Sequence, residues 1–252
     1  HYPLRRQRQM CIRDRGSMSL MTSLPTGYRA LVLGASGTIG RGFVEQLTRD
    51  DRCALVERLD RTSVAPLILE EEAAIKLAVN AIASHGPFHL ILDATGALTI
   101  DGQGPEKRLE SMSARSLARA FQINAIGRGL ILRECIPLLP RNERCMFGVL
   151  SARVGSISDN HLGGWYGYRA SKAAGNMLLQ TASIESHRTR PHAVFAALQP
   201  GTVVSRLSEP FSRGHETVTA ENSTTGMLDT LNGLAARPQA WFVDYKGLSI
   251  DW

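Results

Sequence analysis

The 252-residue chain has no apolar run approaching the roughly 20 residues that a membrane-spanning helix needs, so no membrane partner is expected. Cysteine is scarce. Of the four, Cys11 falls in an atypical N-terminal tail, and Cys53, Cys135 and Cys145 have no metal-ligand spacing and leave an odd number for disulfides. Ordinary reduced thiols of a cytoplasmic protein are expected, and no metal. No internal repeat or low-complexity segment is present, and the length suits one domain with a sizeable core.

Acid falls short of base: the net charge is +6 and the pI is near 9.5. That balance points first to nucleic acid, but its distribution argues against such a partner. Arg5, Arg6, Arg8, Arg13 and Arg15 face only Asp14 within the first 17 residues, and the rest of the chain carries 24 basic and 22 acidic residues. The stretch Met10-Cys11-Ile12-Arg13-Asp14-Arg15 back-translates to the mosaic-end adapter of transposon-based sequencing libraries, read in frame. Residues 1–17 are therefore expected to be a non-native, disordered tail, with a start at Met18 or Met21. A basic targeting arm or a nucleic-acid-binding tail are the alternatives. No apolar stretch follows the arginines to make a secretory signal.

What is present begins with Tyr168 and Lys172 in Gly164-Trp165-Tyr166-Gly167-Tyr168-Arg169-Ala170-Ser171-Lys172. Four residues apart, they share one helix face. An ammonium near a phenol favours the phenolate and lowers its pKa, which suits a proton donor and acceptor for a carbonyl–alcohol pair. Far upstream, Ala30-Leu31-Val32-Leu33-Gly34-Ala35-Ser36-Gly37-Thr38-Ile39-Gly40 runs from an apolar strand into a glycine turn. Phe43, Val44 and Leu47 then repeat at helical spacing. Strand, glycine turn and helix are the context of a dinucleotide-binding loop. Gly34 allows the tight turn, Gly37 the approach of a pyrophosphate, and Gly40 close packing of helix on strand. The helix N-terminus offers N–H groups to phosphate, so Gly34, Ser36, Gly37, Thr38, Ile39 and Gly40 are expected cofactor contacts.

Along the chain, strands are expected at 29–33, 53–59, 66–69, 89–93, 146–151, 193–198 and 240–243. Helices are expected at 39–48, 71–84, 113–136, 165–187 and 219–235. This alternation predicts an α/β fold, a doubly wound parallel sheet in a single domain over 18–252. Residues 205–225 read as a mobile loop over the substrate site.

Together the two motifs resemble the short-chain dehydrogenase/reductase family, over about Tyr28 to Trp252. The nearest likeness is to its C-factor-type oxidoreductases, through Ser151 to Asn160, Gly163-Gly164-Trp165-Tyr166, and Trp241 to Gly247 with terminal Trp252. The resemblance implies a Rossmann-type fold, an NAD(P) cofactor, a small carbonyl or alcohol substrate, and a homodimer or homotetramer built on helices 113–136 and 165–187. It implies that Asn124 bends its helix and holds a water linking the lysine to solvent. Ser151 would bind the substrate carbonyl oxygen, although Ala152 stands where many relatives carry a second serine, and Ser156 is an alternative. Pro200, Gly201, Val203 and Ser205 would meet the nicotinamide carboxamide. The family's Asn-x-Ala-Gly reads Asp93-Ala94-Thr95-Gly96, which places Asp93 and Gly96 at the cofactor. At the end of the second strand, Asp60 favours a ribose hydroxyl and NAD, whereas Arg58 or Arg61 favours a 2′-phosphate and NADP. The expected reaction is hydride transfer with Tyr168 as proton donor or acceptor. The alternative is a dinucleotide-binding signalling protein with little turnover.

Overall fold

The structure, a computed structural model, describes residues 19–203 and 217–252. The expected tail at 1–17, Ser205 and most of the expected loop at 205–225 lie outside the described residues.

Among them, six strands form one sheet: β1 (Tyr28–Leu33), β2 (Cys53–Leu59), β3 (Leu90–Asp93), β4 (Cys145–Leu150), β5 (Ala193–Gln199) and, last in the chain, β8 (Trp241–Asp244). Their order is β2-β1-β3-β4-β5-β8, and every pairing is parallel. Two short strands, β6 (Thr202–Val203) and β7 (Thr217–Val218), pair with each other apart from it. The inner strands β3, β4 and β5 are almost wholly apolar because both faces are covered, whereas the edge strand β2 is partly exposed and carries Glu57 and Arg58. Alternate side chains feed two cores. Leu31, Ile91, Phe147 and Phe195 point to one side, towards α2 (Glu72–Ile82), α4 (Arg128–Cys135) and α5 (Tyr166–His187). Val32, Leu92, Met146 and Val194 point to the other, towards α1 (Thr38–Arg49) and α6 (Ala220–Gly233). Phe147 and Phe195 stack at 6.0 Å across neighbouring strands.

The doubly wound α/β architecture expected from the sequence is therefore present, with two local differences. No strand forms at 66–69. Pro66 has no N–H to give to a ladder, and Leu67, itself buried, donates its N–H to the Asp60 carbonyl at 3.0 Å. That bond folds the segment back over the end of β2 and leaves β2 as the sheet edge. The helix expected at 113–136 is divided. α3 (Ala114–Phe121), opened by a Ser113–Ser116 capping box, runs into a π-helical turn at Gln122–Gly127, and α4 follows. The turn centres on Asn124, whose amide is hydrogen-bonded outside the helix.

Candidate active site

Strand order reverses between β1 and β3, and the carboxyl ends of the strands around that point frame a cavity of about 600 Å³. The turn after β1 and the start of α1 form one wall. Gly34 has φ +75°, and a Cβ there would lie 2.9 Å from the Ala94 backbone. A Cβ on Gly40 would run into the Gly34 carbonyl oxygen. Bare backbone at both positions lets α1 begin hard against β1. Gly37 is the N-cap with no capping side chain, and Gly37, Thr38, Ile39 and Gly40 all line the cavity. Helix N–H groups and the positive dipole end thus open into it, the setting a pyrophosphate needs. Ser36 lies exposed beside this wall without lining it.

The residues after β3 form the second wall. Gly96 has φ +129°, and a Cβ there would sit 3.1 Å from both Asn124 Oδ1 and Lys172 Nζ. Asn124 accepts from Ala97 N–H and donates to Ala97 O, both at 2.9 Å, and donates to Ser171 Oγ at 3.3 Å. It ties the loop after β3 to α5.

Tyr168 and Lys172 line the cavity from the first turns of α5. That helix starts sharply. Trp165, its N-cap, is left-handed at φ 55°. The Glu106 carboxylate accepts the Gly167 N–H at 3.0 Å, an anion at a helix N-terminus. Trp165 stands edge-on to the Tyr168 ring, centroids 6.1 Å apart. Lys172 Nζ lies 5.7 Å from the centre of the Tyr168 ring and donates to Leu150 O at 3.3 Å. Burial pushes the Tyr168 phenol up to about 12, while the Arg128 guanidinium pulls it down. Lys172 is driven well below the usual lysine range, by burial first and by repulsion from Arg128 next, with Asp93 opposing. Arg128, which the sequence reading did not single out, thus acts on the Tyr168 phenol alongside the expected Lys172.

Ser151, at the end of β4, lines the cavity and donates to Asn176 Oδ1 at 2.7 Å. Ser156 is turned away: its hydroxyl is engaged with the Asp251 carbonyl and it lines no part of the cavity. Pro200, Gly201 and Val203 reach the cavity from the end of β5.

Three expected cofactor contacts, Asp93, Asp60 and Arg61, lie outside the cavity lining. Asp93 does not line the cavity. It is 1% exposed, one oxygen holding Thr95 N–H and Oγ1 and the other 3.4 Å from Arg128 Nε. Its carboxylate is turned inward, towards the buried Arg128. Asp60 and Arg61 stand at the end of β2, outside the cavity lining. Asp60 Oδ1 accepts from Thr62 N at 2.7 Å and Thr62 Oγ1 at 2.6 Å, and those bonds hold the carboxyl below its ordinary range against the opposing effect of burial.

Arg128, Asn176 and Glu106 are the residues that sequence reasoning missed. The first two follow Asn124 and Lys172 by four positions, so a search of the same helix faces finds them. Glu106 carries no such signal.

No protein-family model matches the chain. It is 30% identical over 168 residues to the C-signal of Myxococcus xanthus, spanning 66% of this chain and 94% of that protein. The chain belongs to the short-chain dehydrogenase/reductase family. A second relative, the 1-hydroxy-2-glutathionyl-2-methyl-3-butene dehydrogenase of Rhodococcus sp. (strain AD45), is 28% identical over 182 residues, 72% of this chain and 74% of the relative. Among solved structures, the NADPH-bound carbonyl reductase from chicken fatty liver has the same fold. Its TM-score is 0.79 at 22% identity, over 94% of this chain and 100% of that one. Among the described residues of this short-chain dehydrogenase/reductase, no helix is long and apolar enough to cross a membrane and no residue cluster is suited to a metal ion.

Proposed function

We propose that Tyr168 is the proton donor and acceptor of this enzyme, with Ser151 orienting the substrate oxygen and Lys172 and Asn124 supporting the proton. The chain is an NAD(P)-dependent oxidoreductase acting on a carbonyl or a secondary alcohol. The observation that carries the residue assignment is one cavity holding both the open N-terminus of α1 and the Tyr168–Lys172 pair.

The residues fit a dinucleotide. Added carbon at Gly34 or Gly40 would close the turn that presents the α1 N–H groups, and residues 200–203 line the same cavity. Nicotinamide dinucleotide, when bound, supplies or accepts the hydride. Tyr168 Oη passes its proton to the carbonyl oxygen during reduction and takes it back during oxidation. Ser151 Oγ fixes that oxygen in line with Tyr168. Lys172, anchored on Leu150 O, would hold the nicotinamide ribose, and Asn124 holds the loop at Ala97 that borders the cavity. At the end of β2, Asp60 favours a free 2′-hydroxyl and the neighbouring Arg58 and Arg61 a 2′-phosphate, so the cofactor is written NAD(P).

A signalling protein that only binds dinucleotide has no use for the Tyr168–Lys172 pair, which favours turnover over that reading. Exposed Ile126, Met177, Leu178 and Ile184 on the π turn and α5 support a homodimer or homotetramer. The free thiols of Cys53, Cys135 and Cys145 suit the cytoplasm.

Tyr168→Phe tests the assignment. Turnover of an accepted carbonyl substrate should fall about 10²–10⁴-fold, the span for a lost general acid, with dinucleotide affinity retained. Near-native turnover would remove Tyr168 from the role.

A further inference from the structure

Two buried basic side chains lean on one carbonyl. Arg128 Nη2 donates to Leu150 O at 2.7 Å, and Lys172 Nζ donates to the same oxygen at 3.3 Å. Their residues are 1% and 4% exposed. Leu150 immediately precedes Ser151, so this oxygen sits beneath the proposed reaction centre. Arg128 Nη2 also reaches Thr95 O at 3.4 Å, bridging the ends of β3 and β4.

From β3, Asp93 faces Arg128, its Oδ2 3.4 Å from Nε. From the far end of α4, Cys135 also faces Asp93, but burial pushes its thiol up and keeps it neutral. From α5 come Tyr168 and Lys172. The four charged or titrating groups at the centre are thus Asp93, Arg128, Lys172 and Tyr168. Gly175 on α5 leaves the space the guanidinium fills, since a Cβ there would lie 3.3 Å from Arg128 Nη1.

A buried ion pair of this kind is seldom kept for stability, because desolvation offsets most of its Coulomb gain and a well-packed apolar pair often serves as well. Hydrogen bonding is incomplete here too: Arg128 Nε and Nη1 and Asp93 Oδ2 make none. What the pair does have is its location. The Arg128 guanidinium shares the Leu150 carbonyl with the lysine and acts electrostatically on the phenol, and the Asp93 carboxylate lies on its other side.

We infer that the Asp93–Arg128 ion pair is a positioning element of the reaction centre. Arg128 pins the Leu150 carbonyl on which Lys172 rests, and the two opposed charges set the field in which the Tyr168 proton leaves and returns. This rests on the assignment of Tyr168 as acid and adds to it that the field has two parts acting in opposite directions.

The test is the pH dependence of kcat/KM for carbonyl reduction in Asp93→Asn, Arg128→Met and Arg128→Lys. Asp93→Asn retains an oxygen for Thr95 and leaves the Arg128 charge unopposed, so the phenolate is favoured and the alkaline limb moves to lower pH. Arg128→Met leaves Asp93 unopposed, so the limb moves to higher pH. Each shift should be about one pH unit or more, the scale of a charge close to a buried group. Arg128→Lys keeps the charge and should restore most of the native profile. A merely structural pair would lower the melting temperature and turnover of both charge variants with no shift or with shifts of one sign, and that outcome overturns the inference. If Arg128→Met does not fold, Asp93→Asn decides, an unmoved limb being the overturning result. Tyrosinate absorbance in Asp93→Asn separates this inference from the assignment of Tyr168. Ionisation at lower pH without any effect of Tyr168→Phe on turnover sinks the assignment alone. Unmoved ionisation together with a large effect of Tyr168→Phe sinks the inference alone.

Discussion

The Ser151 hydroxyl donates a hydrogen bond to Asn176 Oδ1 at 2.7 Å. A serine held this way presents lone pairs to the cavity, and it must turn from Asn176 to donate to a substrate oxygen. Ser151→Ala should therefore lower kcat about 10–100-fold, less than the roughly 10²–10³ for a donor aimed permanently at an oxyanion. Asn176→Leu removes the competing acceptor while keeping the volume. Steady-state kinetics of the two variants check this: the expected signs are a fall in kcat for Ser151→Ala and a smaller change, confined mainly to KM, for Asn176→Leu. A drop in Asn176→Leu as deep as in Ser151→Ala would mean that the asparagine is needed to hold the hydroxyl.

Lys172 should cost stability at neutral pH. Its folded pKa lies well below the ordinary value of about 10.4, so between the two the unfolded chain binds a proton that the folded chain does not. Stability then rises with pH through that window and levels off near the unfolded value. Tyr168 acts in the opposite sense: its phenol is raised to about 12, so stability present below pH 10 is lost as pH rises from about 10 to 12. Lys172→Met should melt higher than the native chain at pH 7 while losing turnover, each kcal/mol of relieved penalty adding about 2–4 °C. Calorimetry across pH 6–10 checks the sign, and a lower melting point at pH 7 would contradict it.

The glycine turn should govern binding more than folding. Gly40→Val puts carbon against the Gly34 carbonyl, and Gly34→Val adds a branched side chain at φ +75°. Dinucleotide affinity should weaken about 100-fold or more, roughly 3 kcal/mol. Equilibrium titration of variants whose circular dichroism is native measures it, and unaltered affinity would exclude this turn as the pyrophosphate seat.

Most of the architecture was legible because parallel strands buried on both faces leave unbroken apolar runs, as in Leu90-Ile91-Leu92 and Ala193 to Leu198. The segment at 66–69 misled because Leu67, Ile68 and Leu69 have a strand's composition, whereas the decision rested on one missing N–H at Pro66 and one bond to Asp60. At the site, Tyr168, Lys172 and the glycine turn are local patterns and could be read directly. Asp93 and Arg128 lie 35 positions apart, so their pairing is invisible until the sheet brings β3 beside the π turn. Asp93 was consequently expected at the cofactor when its carboxylate faces inward.

Gly175 shows what that hidden pair asks of the rest of the chain. In the interior of a helix alanine is ordinarily favoured over glycine by about 1 kcal/mol. Here its methyl group would fall 2.9 Å from the Asn124 carbonyl as well as beside the guanidinium. Helix propensity at position 175 is overruled from across the interface, and α5 accepts a weaker turn so that a charge can be stored beneath it.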